Sequence, residues 1–234
     1  MLAIFKRELR SYFTNGIGFA YCAFFTLIVN LCYYLNSVQN YLSDFLYIFN
    51  IMLIAMIFLI PIMTMRIWSE EKKQKTDQLL LTAPVNTMSI VLGKFLAAMS
   101  VFLIGLAITL ILLLISATKG TVHIPIFIGN YVAVIFAAAA YIAISQFMSS
   151  LTESQIVSAL LSMLTLSIFF FLNFAFGVVE NDIIANVLKF LSIITRFYNF
   201  YRGIFALDDI IYFVSLTGLF LFLTSRVVEK RRWS

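Results

Sequence analysis

The chain has 234 residues, 62% of them hydrophobic and only 12% charged, whereas a soluble domain is about 45–50% apolar and about 25% charged. These proportions place it in lipid and exclude a soluble globular enzyme. Sixteen Lys and Arg against eleven Asp and Glu leave a net charge of +5, and the placement of those charges is that of a membrane protein rather than of a nucleic-acid binder.

Residues 1–13, MLAIFKRELRSYF, set Leu2, Phe5, Leu9 and Tyr12 at spacings of three, four and three, with Lys6, Arg7 and Arg10 on the other faces. This pattern predicts a short basic amphipathic helix in the membrane interface. It can serve as a lipid anchor or as a docking surface for a cytoplasmic subunit, and the two uses are compatible. The apolar run that follows is span-length and lacks a small-residue cleavage site, so no cleavable signal is expected.

A bilayer core takes about 20 apolar residues per helix, and six stretches meet that length: 17–37, 45–66, 91–118, 124–149, 155–179 and 207–226. The expected fold is therefore all-α, a polytopic membrane domain over 1–234 with six transmembrane helices. In the first span Cys22 and Cys32 are separated by about 15 Å of helix rise, beyond disulfide reach, and read as reduced thiols. The second carries Asn50, and Pro61 near its end, where a backbone hydrogen bond is lost and a kink is expected. In the fourth, Gly129, Ala133 and Ala137 recur every four residues, a face that lets another helix approach closely. The fifth carries Ser154, Ser158, Ser162 and Thr165 as one polar stripe. That stripe reads either as interhelical hydrogen bonding or as the lining of a substrate path, and Asn50 and Asn173 invite the same pair of readings.

The basic residues divide unequally between the two ends. Lys6, Arg7 and Arg10, then Arg66, Lys72, Lys73, Lys75 and Lys94, then Arg226, Lys230, Arg231 and Arg232 fall on one side, twelve against Lys119, Lys189, Arg196 and Arg202 on the other. The positive-inside rule puts both termini and the 66–94 segment in the cytoplasm, which suits a bacterial cell membrane.

Residues 66–94 form the one sizeable cytoplasmic connection. Glu70, Glu71, Lys72, Lys73, Lys75 and Asp77 precede Leu79, Leu80 and Leu81, then Thr82-Ala83-Pro84. Mixed charges at helical spacing support a helix, expected over 69–84 and ended by Pro84. It is either a solvated charged face or a part that a partner protein pushes.

The missing motifs narrow the mechanism. Span interiors hold none of the ionisable residues on which ion-coupled carriers depend. The lone histidine, His123, reads as an interfacial residue beside Pro125. There is no metal-ligand cluster, no nucleophilic triad and no phosphate-binding loop, Gly93-Lys94 being a lone dipeptide. Uphill movement would draw its energy from another chain.

The 66–94 segment resembles the cytoplasmic loop of ABC-2-type transporter permeases of the gliding-motility type. There an arginine, two acidic residues, basic residues, a Gly-Thr and a Glu-Leu-Leu-Leu-Thr-x-Pro run precede Gly-Lys. The chain matches at Arg66, Glu70 to Lys73, Thr76, Leu79 to Thr82, Pro84, Gly93 and Lys94, and departs at Lys75, where the family favours Gly, and at Gln78, where it favours Glu. Ser150 to Gln155, Tyr212-Phe213, Leu221 to Thr224 and Glu229 to Trp233 extend the likeness over essentially the whole chain.

The resemblance implies a non-catalytic permease subunit of an ATP-driven exporter, pairing with a second permease chain as a homodimer and seated on a separate ATPase that binds ATP and magnesium. It implies a coupling helix between spans two and three and short re-entrant helices outside, which 180–206 would supply. The ATPase would meet Phe5, Lys6, Leu9 and Arg10 and the coupling-helix residues Glu70, Glu71, Lys72, Lys73, Thr76, Leu79 and Leu80. Spans one, two and five would face the pathway, with Asn50, Ser158, Ser162, Thr165 and Asn173 as its candidates. An accessory membrane protein with an external domain can accompany such systems. The alternative is a membrane subunit of an ATPase complex that does mechanical or regulatory work without transport.

Overall fold

The computed structural model describes residues 1–35, 45–76, 86–111, 124–175, 182–201 and 206–232. Within these, ten α-helices and no strand are found: α1 Leu2–Thr14, α2 Ile17–Tyr33, α3 Phe45–Thr64, α4 Arg66–Lys73, α5 Thr87–Thr109, α6 Ile124–Leu151, α7 Gln155–Ala175, α8 Asp182–Leu191, α9 Ile193–Tyr201 and α10 Leu207–Arg232. Five spans, drawn from α3 with α4, α5, α6, α7 and α10, are long and apolar enough to cross a membrane. The sixth is formed only if α1 and α2, bent by 68° to one another, are taken together.

That bend is made at Gly16, whose φ of +74° lies in the left-handed region where glycine carries no Cβ penalty. The amphipathic α1 thereby turns off the axis of α2, as the spacing of Leu2, Phe5, Leu9 and Tyr12 predicts. Its Tyr12 is buried and Phe5 and Leu9 are half-buried against the bundle, while Lys6 and Arg10 are exposed.

The small-residue helix α6 is the packing centre. Ala133, Ala137, Ala138, Ala140 and Ala143 are fully buried, and α3, α4, α5, α7, α9 and α10 all pack on it. Side chains no larger than a methyl group let neighbouring backbones approach, and in a bilayer such packing is a main source of helix association. By contrast α7 turns Ile156, Leu160, Leu164, Ile168 and Phe171 outward, an apolar face suited to lipid or another chain.

Pro61 lies within α3, and the helix continues past it, with Met65 N–H donating to Pro61 O at 2.8 Å. A single turn at Met65 then separates α3 from α4, so Ile48–Lys73 reads as one 26-residue span. The helix expected at 69–84 thus begins earlier, as an extension of the span, with α4 ending at Lys73, and the part of that expectation from 77 to 84 lies outside the described residues. Leu79, Leu80, Pro84 and His123 lie outside the described residues. Cys22 is buried and Cys32 half-buried, both as free thiols.

Candidate functional site

The basic segments converge at one end of the bundle, where α1, α4 and the first turns of α5 meet. Asn86 caps α5 by accepting from Met88 N–H at 3.1 Å, and two turns in lies Lys94, only 1% exposed. Composition had counted Lys94 with the connection, but it is a charge held inside the bundle. Its ammonium has three protons to donate. Three oxygens surround it: Ile67 O at 2.9 Å, Glu71 Oε1 at 2.8 Å and Glu8 Oε1 at 3.3 Å. The Trp68 ring lies 4.9 Å below the charge, within cation–π range.

Arg7 closes this cluster from the solvent side, with Nη2 at 2.5 Å from Glu8 Oε1 and 2.9 Å from Glu71 Oε1. Two carboxylates are thereby sandwiched between an inner and an outer cation. Burial alone would raise the Glu8 carboxyl, but Lys94 and Arg7 outweigh it and hold the group below its ordinary value of 4.5. Burial likewise works against the charge on Arg7, and the neighbouring Glu8 and Glu71 more than offset it.

Close approach of the helices makes the cluster possible. A Cβ on Gly93 would stand 3.1 Å from Ile4 Cγ2, so the absence of a side chain there lets α1 lie directly on α5. Gly93 and Lys94 together seat α1, one by making room and the other by supplying charge.

The joint between α3 and α4 is held from α6. Ser149 Oγ donates to Met65 O at 3.0 Å and accepts from Trp68 N–H at 3.2 Å and Ser69 N–H at 3.3 Å. The amides at a helix start lack intrahelical partners, and here a hydroxyl from another helix supplies one. Lys72 is buried, its ammonium donating to Ser150 O. At the other end of α4, Lys75 N–H donates to Lys72 O at 3.1 Å and Thr76 N–H to Glu71 O at 3.0 Å, while Lys75 has φ +55°. This is a Schellman stop, and it explains on steric grounds why Gly suits position 75.

Of the residues expected to meet an ATPase, Lys6, Arg10, Lys73 and Thr76 are exposed and Glu70 is half-buried. Glu71 and Lys72 turn into the chain's own interior, and Phe5 and Leu9 pack against the bundle. Charge pattern alone could not divide α4 into these two faces. Glu8, Trp68 and Ser149 were missed altogether. An acid amid the bases of α1 was the one available signal, because it needs a cation and Lys94 supplies it.

The five pathway candidates lie on two helices, Asn50 on α3 and the other four on α7. Asn50 is half-buried on α3. Ser158 and Ser162 are buried, but Ser162 Oγ donates to Ser158 O and Thr165 Oγ1 to Leu161 O, each at 2.8 Å along α7 itself. Asn173 Oδ1 accepts from Thr195 Oγ1 at 3.0 Å, tying α7 to α9 at the opposite end. There α8 and α9 stand where 180–206 was expected to give short helices. Arg196 meets the fully buried Asp209 at 3.1 Å, and Asn199 donates to the same carboxylate at 2.8 Å.

A family model described as ABC-2 family transporter protein matches residues 16–227, from the Gly16 bend to the last helix. The chain belongs to the ABC-2 transporter family. Comparison with curated proteins finds no match. As an ABC-2 member it is a multi-pass membrane permease component of an ABC transporter, and the family works in association with an ABC ATPase. The match begins at the bend, so α1 is joined to the ABC-2 domain through Gly93, Lys94 and the acids Glu8 and Glu71.

Proposed function

We propose that the chain is the non-catalytic permease of an ATP-driven exporter, both termini cytoplasmic, pairing with a second copy and seated on a separate ATPase that binds ATP and magnesium. The observation that carries this reading is the buried Lys94 cluster. It ties α1 and α4, the segments nearest a cytoplasmic partner, to α5, while α4 runs directly into α3. A push on the exposed face of α1 and α4 would therefore reach two spans without passing through a loop.

The docking face comprises Lys6, Arg10, Glu70, Lys73 and Thr76. Leu79 and Leu80 extend it in sequence. The pathway falls between paired chains along spans one, two and five, with Asn50 and Thr165 its better-placed polar candidates. An accessory membrane protein with an external domain, as in the gliding-motility type, is a further partner.

The test is reversal of the outward charges, Glu70→Lys with Lys73→Glu, in the complex purified from its host. The expected result is a folded, membrane-inserted permease that loses its ATPase at least tenfold. Normal ATPase retention and turnover would remove this face from the interface. ATP turnover in vesicles without movement of any candidate substrate would favour mechanical or regulatory work over export.

A further inference from the structure

Between α1, the start of α2 and α4 lies a cavity of about 420 Å³, with Arg7, Tyr12, Ile17, Arg66, Glu70 and Glu71 among the residues of its wall. Small-molecule sites span roughly 300–1,000 Å³. Three buried polar atoms on this wall have no hydrogen-bond partner: Tyr12 OH, Arg66 Nε and Glu71 Oε2. Tyr12 is more than nine-tenths buried, at 8% exposed. The nearest ion partner of Arg66 Nε, Glu70 Oε2, is 3.9 Å away, beyond hydrogen-bond length. An orphaned buried polar atom is costly, and three around one cavity leave two donors and one acceptor to be satisfied together.

The surroundings select the occupant. The wall carries Arg7 and Arg66 against Glu8, Glu70 and Glu71, and Lys94, paired with Glu8 and Glu71 from behind the wall, brings the sum to zero, which disfavours an anion and suits a neutral zwitterion. The cavity lies beneath an amphipathic helix bent 68° from its span, with Leu2 and Phe19 exposed on either side of it in sequence, as suits the headgroup depth of a bilayer.

We propose that this cavity binds the headgroup of a zwitterionic phospholipid bearing a primary ammonium. Phosphate oxygens accept from Tyr12 O–H and Arg66 N–H, and the ammonium donates to Glu71 Oε2. A trimethylated ammonium has no proton to donate there.

Native mass spectrometry of the full chain, delipidated in detergent and titrated with phosphatidylethanolamine, phosphatidylcholine and phosphatidylglycerol, tests the assignment. Retention of phosphatidylethanolamine at least tenfold above the other two is expected. Tyr12→Phe, which keeps the ring and removes only the hydroxyl, and Arg66→Gln should each lower retention of phosphatidylethanolamine at least tenfold, and Glu71→Gln should abolish its preference over the choline lipid. Equal retention of the choline lipid would overturn the ammonium contact, and tighter retention of the glycerol lipid would overturn the charge argument. Retention of phosphatidylethanolamine unchanged in both the Tyr12 and Arg66 variants would overturn the site. Binding of soluble phosphoethanolamine as tight as that of the lipid would identify a free solute as the occupant and overturn the lipid. The assay contains no ATPase, so its outcome is independent of the docking face.

Discussion

Lys94 shows how one buried charge can be both costly and necessary. Removing one member of a buried ion pair costs about 3–5 kcal/mol because the partner charges are left uncompensated. Lys94→Met should therefore lower the thermal stability of the detergent-solubilised chain and free α1, leaving Glu8 and Glu71 with only the outer Arg7. Part of the loss should return when Glu8→Gln is added, and no recovery in the double variant would argue against direct coupling. Lys75 makes the opposite prediction. A non-glycine residue in the left-handed region is strained by roughly 1–2 kcal/mol, so Lys75→Gly should raise the melting temperature and Lys75→Val should lower it. These residue roles were only partly legible beforehand. The pattern picked out Gly93, Lys94 and the Glu70–Lys73 run, but adjacent charges on one short helix point in different directions, and only tertiary packing decides which of Glu70 and Glu71 meets solvent.

At the scale of elements, α1 is held by charge and by close packing rather than by a long buried seam. Glu8 is the titrating member of that contact. Its folded value lies below 4.5, so its contribution is present above pH 4.5 and is lost as pH falls through the lower folded value. Acidification should loosen α1 with a midpoint below 4.5, read from the emission of Trp68 in a Trp233→Phe background. Glu8→Gln should flatten the transition, and a midpoint above 4.5 would contradict the assignment. The helices themselves were readable because span-length apolar runs and the 3.6-residue period leave few alternatives. The end of α4 was not. α4 stops through a hydrogen-bonding pattern around Lys75 that ordinary residue preferences disguise.

At the scale of the molecule, the two ends are fastened differently. The basic end joins three helices through four charged side chains, whereas the opposite end joins α9 to α10 through Arg196, Asn199 and Asp209. Arg196→Met leaves a fully buried carboxylate with Asn199 as its remaining described partner, and should cost about 3–5 kcal/mol, measured by thermal unfolding in detergent. Arg196→Met with Asp209→Asn should recover much of that loss. The all-helical, multi-span plan was legible because span-length apolar runs leave few alternatives, although the first span is long enough only with the bent pair α1 and α2 taken together. The pathway was not, because Ser162 and Thr165 bond along the backbone of α7 while the buried Ser158 hydroxyl has no partner among the described residues, and hydroxyl spacing alone cannot separate the two cases.

The joint at Met65 has a mechanical consequence. Ser149 grips backbone groups of residues 65, 68 and 69 while Lys94 grips residue 67, so the Ile48–Lys73 rod is clamped off-centre. With about 1.5 Å of rise per residue, roughly 9 Å of rod extends beyond Ile67 toward Lys73 and roughly 28 Å toward Ile48. The short arm is itself fastened, Glu71 to Lys94 and Lys72 to Ser150, so the two arms differ in freedom as well as in length.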